Sequence, residues 1–466
     1  MKKLIAFLLM LPLCLTACAP DAEVIYFTPT PDPTAAAAAP KTTNPTEQDG
    51  IVLRVLAAPM DSQSEELAVF NKLEKYRSNR KMLPVTFDLT ELSTAHITED
   101  YENHPRIAKE YYDTIALKLL AGDDDFDMFF ISLYSFNPAR GQINSMLRKD
   151  YLVSMEQLGL AEMFDSMLPG VKELCSAEGE LLLAPIGFRL STRMLPTDAL
   201  NRLGITEQDI PRTAGAFTDF LLGIQPEMEA EGIALATGFG ADYFMSWFEG
   251  QYVDEYMTHG DNTQALWDAL LDMLDRLFAS GLLAMDYGQW AVNGEHIPYG
   301  FPAIAYDTVL FGSGLGLDGG GNDSALREWG NKMMPQILLT EDAKEPIDYG
   351  TYLAVNPHSK NMDAIKEYLE TLLSEDFRRN INPYDETQNH WHIYDVPALQ
   401  ASANFTYYKD ELPHSTRGYT NTWQGYGKND PFLILYADYI EYHNGTLTAA
   451  EWKAKVDRAL EFLRDE

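Results

Sequence analysis

The sequence has 466 residues, of which 46% are hydrophobic and 12% aromatic. This composition is too apolar for a chain that stays disordered, and the length allows two domains or one large one. Asp and Glu total 70 against 35 Lys and Arg, which gives a net charge of -35. Because such a chain is repelled by phosphates, we predict no nucleic-acid partner and no binding to anionic lipid headgroups.

The amino terminus is typical of a secreted protein. Lys2 and Lys3 precede an apolar segment, residues 4–13, that is too short to span a bilayer as an ordinary helix. We therefore predict a signal peptide over residues 1–17. The tetrapeptide that ends at Cys18 resembles the bacterial lipobox, which implies that Cys18 is lipidated and anchors the protein to the outer face of the cytoplasmic membrane. The alternative is an ordinary signal peptide with an incidental cysteine.

The segment after the lipidation site is predicted to be a tether. Residues 28–34 and 40–45 are rich in Pro and Thr and flank five alanines. Prolines favour extended structure, and the segment has no apolar periodicity. We predict a lipidated cysteine and disordered tether over residues 18–50. Signal cleavage also removes Cys14, so Cys175 is left as the side-chain thiol and no intramolecular disulfide is expected.

The folded part begins with alternating strands and helices. Apolar or alternating residues predict strands at 51–57, 85–89 and 126–133. Helical spacing of apolar residues predicts a helix in each interval, over 62–73 and 112–122. Strands connected in this way form a parallel sheet, and ligands bind beyond the carboxyl ends of its strands.

Further helices are predicted in the second half of the chain. Apolar residues recur at helical spacing over 266–278 and 365–373. The sequence Thr448–Glu451 has the spacing of a capping box and opens a last helix that continues to Leu463.

The sequence shows no catalytic signature. It has no GxSxG elbow, no HExxH, no phosphate-binding loop and no GxGxxG after a strand. We predict no enzyme activity, no catalytic residues, no cofactor and no metal. Asp318, Asn322 and Asp323 offer oxygen ligands without the EF-hand spacing, which leaves a structural calcium undecided.

Aromatic residues in polar segments are candidates for sugar contacts, because a pyranose face stacks on an aromatic ring. The opposing interpretation for each of them is packing in the core. The candidates are Tyr134, Phe136, Tyr243, Trp247, Trp290, Trp391 and Trp423.

Several segments, in a fixed order, resemble the motifs of extracellular solute-binding proteins, the maltose-binding-like lipoproteins that supply ABC importers. Residues 111–127 resemble that family's helix, "aGd…D" turn and strand, and 350–361 resemble its "g…laI…skn" segment. Weaker similarities are at 150–155, 179–186 and 303–306. Departures include 100–110, which resembles an insertion before the helix, and Tyr306-Asp307-Thr308 in place of the family's "NG.W".

The resemblance implies a two-lobed α/β fold with a ligand cleft between the lobes. Three hinge crossings are expected, near residues 186–189, 300–306 and 350–354. Lobe one would then combine 51–187 with 305–350. Lobe two would combine 188–304 with 351–466.

The same resemblance, combined with the aromatic candidates, suggests the ligand contacts. Tyr134 follows the third strand, and Arg189 follows the first crossing, where it could donate a bidentate pair of hydrogen bonds. The opposing interpretation of Arg189 is a surface salt bridge. The predicted ligand-binding residues are Tyr134, Phe136, Arg189, Trp247, Trp290, Tyr306, Asp307, Tyr352 and Trp423.

These features together predict a monomeric, lipid-anchored capture protein that delivers a carbohydrate, an oligosaccharide, to ABC permease subunits after hinge closure. The sequence leaves alternatives open. The solute could be a peptide or another small polar molecule. The chain could instead be a lipid-anchored enzyme that acts on glycans, or an adhesin.

Overall fold

The computed structural model has a mixed α/β architecture. The predicted signal peptide, Cys18, the tether and the start of the predicted helix at 62–66 lie outside the residues that it describes. The described residues are 51–57, 67–82, 85–91, 104–134, 143, 146–147, 151–190, 193–236, 241–260, 262–283, 291–292, 295–296, 309–311, 331–347, 349–381, 391–418, 438–439 and 441–465.

The elements follow the predicted alternation at the start of the chain and become less regular later. The strands are β1 (Ile51–Ala57), β2 (Val85–Glu91), β3 (Met128–Tyr134), β4 (Ser176–Ala177), β5 (Glu180–Leu181), β6 (Ala184–Arg189), β7 (Arg193–Pro196), β8 (Ala234–Ala236), β9 (Ala291–Val292), β10 (Glu295–His296), β11 (Val309–Phe311), β12 (Asn331–Met334), β13 (Glu345–Pro346), β14 (Tyr349–Val355) and β15 (Ser415–Thr416). The α-helices are α1 (Leu67–Asn79), α2 (His104–Ala121), α3 (Val171–Leu174), α4 (Thr197–Leu203), α5 (Ala214–Glu231), α6 (Ala241–His259), α7 (Gln264–Ala279), α8 (Met362–Leu373), α9 (Glu375–Arg379), α10 (Ala403–Glu411) and α11 (Ala449–Asp465).

The first sheet has the strand order β2-β1-β3-β14-β6. β1 pairs in parallel with both β2 and β3, as the strand–helix alternation predicted. β14 lies between β3 and β6 and is antiparallel to both. All seven residues of β14 are buried, which fits a strand covered on both faces of the sheet. The predicted insertion at 100–110 overlaps α2, which begins at His104.

The buried apolar residues form two separate clusters. Core cluster one surrounds the first sheet and includes apolar residues from 53–190 and from 347–412. Core cluster two packs around α5, α6, α7 and α11 and includes residues from 195–343 and from 439–460. The chain thus passes between the clusters after Leu190, after Ala343 and after Leu412. Two apolar cores in one chain are what a two-lobed architecture requires.

The two core clusters divide the later part of the chain differently from the predicted lobes. The sequence interpretation assigned 305–350 to lobe one and 351–466 to lobe two. In the structure, Met334 and Ile337 pack in core cluster two, whereas Tyr352 and Leu372 pack in core cluster one. The reason is the position of β14, which is hydrogen-bonded in the middle of the first sheet.

The predicted third crossing, near 350–354, stays a prediction, and residues 350–354 themselves lie inside β14. The predicted crossing at 300–306 lies outside the described residues. The segment 186–189 is the end of β6, just before the chain enters core cluster two. The described part of the chain contains no helix that combines the length and the apolar character needed to cross a membrane.

Two helices of core cluster two, α7 and α11, form where the sequence pattern predicted them. The buried residues of α7 recur every three or four positions, which is one face of a helix. The indole of Trp267 meets that of Trp452 of α11 edge-on, with ring centroids 4.8 Å apart. The capping box at the start of α11 is confirmed, since Glu451 N donates to Thr448 Oγ1 and Thr448 N donates to Glu451 Oε2.

A polar contact joins the two clusters. Glu411, at the end of α10, is buried, and both of its carboxylate oxygens accept from Arg212, at 2.7 and 3.0 Å. Gln336 N also donates to this carboxylate at 3.0 Å. Arg212 and Gln336 lie beside Leu338 of core cluster two, so Glu411 connects the clusters through charge-assisted hydrogen bonds.

His414 is expected to make the stability of this junction depend on pH. Burial and the positive charges of Arg212 and Lys344 lower the pKa of His414 below its usual 6.5, and the nearby Glu411 only partly opposes this shift. A lowered folded-state pKa means that the unfolded chain binds the proton more readily. Stability is then lost as the pH falls from 6.5 through the folded-state pKa.

We expect His414→Gln to reduce the fall in stability between about pH 7 and 5, measured by urea unfolding at each pH. His443→Gln, at an exposed position in the segment before α11, is the matched control and should keep the wild-type fall. Identical pH profiles for His414→Gln and the wild type would contradict the assignment.

Candidate functional site

The carboxyl ends of β1, β2, β3 and β6 lie at one edge of the first sheet, because these strands run parallel to one another. At this edge Tyr349, the first residue of β14, pairs with Tyr134 on one side and with Arg189 on the other. Tyr134 and Arg189 are the last residues of β3 and β6. The edge also lies next to the first passage of the chain into core cluster two. It is therefore the edge at which an α/β sheet places its ligand.

The charged side chain of Arg189 lies over the aromatic ring of Tyr349. The guanidinium carbon of Arg189 lies 5.5 Å from the centroid of the Tyr349 ring, within the distance of a cation–π interaction. Arg189 is half-buried, and 8% of Tyr349 is exposed. This contact limits the orientations of the guanidinium, which leaves fewer rotamers to lose when it binds a ligand.

Tyr349 is connected to α2 through Ser132. Ser132 Oγ donates to the Tyr349 hydroxyl oxygen at 3.2 Å, and Ser132 N donates to the hydroxyl oxygen of Tyr112 at 3.0 Å. Tyr112 belongs to α2, so the helix fixes the strand residue that holds the tyrosine. We define the sheet-edge site as Ser132, Tyr134, Arg189 and Tyr349.

The path of β6 toward this site is fixed by a buried arginine. The pairing of β14 with β6 skips Ile186, because Thr351 faces Gly187 and Tyr352 faces Pro185. The guanidinium of Arg378 donates to the carbonyl oxygen of Ile186 at 2.8 Å. Burial lowers the pKa of Arg378 to about 10, so the side chain remains charged at neutral pH. Such a bulge bends a strand and redirects the side chains beyond it, here Arg189.

The structure places two of the predicted ligand-binding residues at the sheet edge, Tyr134 by its backbone position and Arg189 by its side chain. Trp247 lies within α6. Five of the predictions fall outside the described residues and stay predictions. They are Phe136, Trp290, Tyr306, Asp307 and Trp423.

The structure does not support Tyr352 as one of the ligand contacts. It is fully buried, and its ring meets that of Phe188 edge-on with centroids 5.5 Å apart. Successive residues of a strand point to opposite faces, so Tyr352 belongs to the packed core and not to the set of ligand contacts. Trp391, an earlier candidate for stacking, is also core, with 2% exposed.

Sequence reasoning did not find Ser132. The available signal was the alternation along β3, which puts Ser132 on the same face as Tyr134 two residues later. The residues of β3 alone do not indicate that β14 is the neighbouring strand.

The described residues contain no group of three or more His, Cys, Asp or Glu side chains that could hold a metal ion. What the sheet-edge site does offer is an aromatic ring, a guanidinium and hydroxyl groups. These groups suit the recognition of a polar, hydroxylated molecule.

Comparison with known proteins gives two results. No protein-family model matches the sequence, and no curated protein sequence matches it either. The structure, in contrast, has the two-lobed α/β fold of periplasmic solute-binding proteins.

Three solved structures illustrate the similarity. The sugar-binding protein MalE from Xanthomonas citri is 14% identical, with a TM-score of 0.56, and covers 89% of this chain and 98% of its own. The cyclic alpha-maltosyl-1,6-maltose binding protein from Arthrobacter globiformis is 13% identical, with a TM-score of 0.54, over 89% and 99% of the two chains. A sugar transporter from Rhizobium etli, in an open conformation, is 10% identical, with a TM-score of 0.54, over 88% and 99%. At these identities the similarity establishes the fold.

Proposed function

We propose that this protein is the solute-binding component of an ABC importer, and that it captures a carbohydrate, most simply an oligosaccharide, outside the cytoplasmic membrane. The observation that carries the proposal is the sheet-edge site, which presents a ring and a guanidinium at the ligand-binding edge of this fold. We further propose that Cys18 carries the lipid anchor and that the two lobes close on the ligand before delivery to the permease.

The choice of a sugar has two supports. Aromatic faces stack on pyranose rings, and a guanidinium donates hydrogen bonds to adjacent hydroxyls. The structures with the same fold include sugar-binding proteins, among them a receptor with a preference for galactopyranose, at a TM-score of 0.56 and 11% identity. Tyr134, Phe136, Trp247, Trp290, Tyr306, Asp307 and Trp423 remain proposed contacts around Arg189.

A thermal-shift screen of the full chain in mild detergent tests the proposal. The panel contains oligosaccharides, peptides and ions, and products are followed by chromatography. A true ligand stabilises the folded state by mass action, by about 2.7 kcal/mol at a concentration 100 times its Kd. A saturable shift with a sugar and no product supports capture. A shift with peptides alone, or conversion of the sugar, would overturn it.

Arg189→Ala should weaken binding of the sugar found in that screen by roughly tenfold to a hundredfold, the value of a lost charge-assisted hydrogen bond of about 1.5–3 kcal/mol. Titration calorimetry measures the change. Arg202→Ala is the control, because Arg202 is exposed in α4 and pairs with Glu231. Equal affinities of the two variants would exclude Arg189 as a contact.

Membrane attachment is tested separately. Cys18→Ala should release the protein from the membrane fraction and abolish its labelling with radioactive palmitate, since attachment by lipid depends on that thiol. Cys14→Ala lies within the predicted signal peptide and should change neither result. Labelling that persists without Cys18 would contradict the lipid anchor.

A further inference from the structure

A cavity lies at the junction of the two core clusters. Its volume is about 310 Å³, the lower end of the range of roughly 300–1,000 Å³ for small-molecule pockets. One wall is α3 and the β4–β5 hairpin of core cluster one, and the other is formed by Thr258 at the end of α6 and by Lys344 and residues 415–417. None of the residues of the sheet-edge site lines it. We call it the junction cavity.

Arg417 is the unusual group in this cavity. It is more than nine-tenths buried, with 6% exposed. Its Nη1 donates to the Ser176 carbonyl oxygen at 2.7 Å, and its buried Nε has no hydrogen-bond partner within the described part of the chain. No carboxylate among the described residues forms an ion pair with it. A buried guanidinium left in this state is unfavourable unless an anionic group joins it.

The other charges of the cavity are two carboxylates and one ammonium. Lys344 is already paired with Glu173. Glu178 also lines the cavity, and it forms no ion pair with any described residue. It occupies the two-residue turn of the β4–β5 hairpin, where both Glu178 and Gly179 have positive φ angles. The hairpin therefore holds the Glu178 backbone in one place.

Arg417 and Glu178 together suggest the class of ligand. The buried guanidinium of Arg417 favours a negative group, for which a carboxylate is the best geometric match, and the exposed carboxylate of Glu178 in the same lining can accept a positive one. Thr258, Ser415 and Thr416 also line the cavity, and residues of this kind are compatible with a small polar ligand. We propose that the junction cavity binds an α-amino acid, with its carboxylate on Arg417 and its ammonium group on Glu178. This site is separate from the proposed carbohydrate site.

Titration calorimetry of the full chain in mild detergent tests the proposal, with glycine and L-serine as probes. Acetate and methylammonium carry one charge each, and inorganic phosphate is the competing anion. The amino acids should bind at one site, at least about tenfold more tightly than acetate or methylammonium, because each half-ligand leaves one charge unpaired. No binding at millimolar amino acid, or tighter binding of phosphate, would overturn the proposal.

Two variants assign the contacts. Glu178→Gln removes a charge at an exposed turn and should reduce glycine binding to the level of acetate. Glu180→Gln, an exposed neighbour in the same hairpin that does not line the cavity, should bind glycine like the wild type. Arg417→Gln should abolish binding. Unchanged glycine affinity in Glu178→Gln would refute the site even if Arg417→Gln does not fold. Sugar binding should be the same in all these variants that fold, so the outcome is independent of the proposed function.

Discussion

Arg378→Ala is expected to lower the free energy of unfolding by about 3–5 kcal/mol, because it leaves buried carbonyl groups without a donor and creates a cavity. Arg378 is fully buried beneath the first sheet. Its Nε donates to the Leu372 carbonyl oxygen at 2.7 Å and its Nη1 to that of Ile186 at 2.8 Å, while Nη2 donates to Pro185. One side chain thereby joins the end of α8 to β6.

The position of β6 explains why the loss should be large. β6 is an edge strand, and Ile186 is the residue that the β14 pairing skips. Arg378 donates to the carbonyl groups of this bulge residue and of Pro185 beside it. Without Arg378 these groups are buried acceptors, and the strand segment that ends at Arg189 is no longer fixed.

Urea unfolding followed by circular dichroism measures the effect. Arg379→Ala is the matched control, since its side chain is partly exposed and pairs with Glu375 one helical turn away, a contact worth about 0.3–0.5 kcal/mol. The pKa of Arg378 is lowered to about 10, from 12.5, so this group makes stability rise with pH only above that value. Equal unfolding midpoints for the two variants would contradict the role given to Arg378.

Local sequence patterns predicted much of core cluster one and two helices of core cluster two, α7 and α11. β1, β2 and β3 were identifiable because apolar runs and alternation report burial directly. α7 and α11 were identifiable because their apolar faces recur with the helical period, and the capping box of α11 marked its first residue. These signals depend on neighbours a few positions apart, so a single sequence contains them.

The pairing partners of the strands could not be predicted in the same way. The apolar segment 349–355 fits the middle of any buried sheet, and nothing within it indicates that β3 and β6 are its neighbours. The core clusters differ from the predicted lobes, and Tyr352 packs inside core cluster one, because both predictions depended on that choice. Pairing in a sheet is decided by contacts over a long sequence separation, such as that between Ser132 and Tyr349.

The candidate site was predictable where it lies at strand ends. Tyr134 and Arg189 are the last residues of β3 and β6, and the carboxyl ends of strands are where this class of sheet binds its ligand. The tryptophan candidates had no such geometric support, because their positions depend on connections between elements. Rings that stack on a sugar and rings that fill a core have the same composition.

Two segments identified from sequence alone are joined by one buried carboxylate. Asp127, next to β3, is 4% exposed and accepts from Arg54 N at 2.7 Å. It also accepts from Asn361 Nδ2 at 3.0 Å and from the Ser359 hydroxyl. The "aGd…D" segment and the "skn" segment thus contact each other, and the contact fixes β1 and the entry to α8 around one residue.

Asp127→Ala should therefore lower the free energy of unfolding by about 2–4 kcal/mol, because three donors lose their acceptor in a buried place. Urea unfolding gives the magnitude, and hydrogen exchange of the Arg54 amide locates it, since that amide loses its protecting hydrogen bond. Asp124→Ala is the control, because Asp124 is exposed and its pair with Lys360 lies at the surface, where such pairs contribute about 0–1 kcal/mol. If the Arg54 amide exchanged at the same rate in both variants, the carboxylate of Asp127 would not be what holds β1 in place.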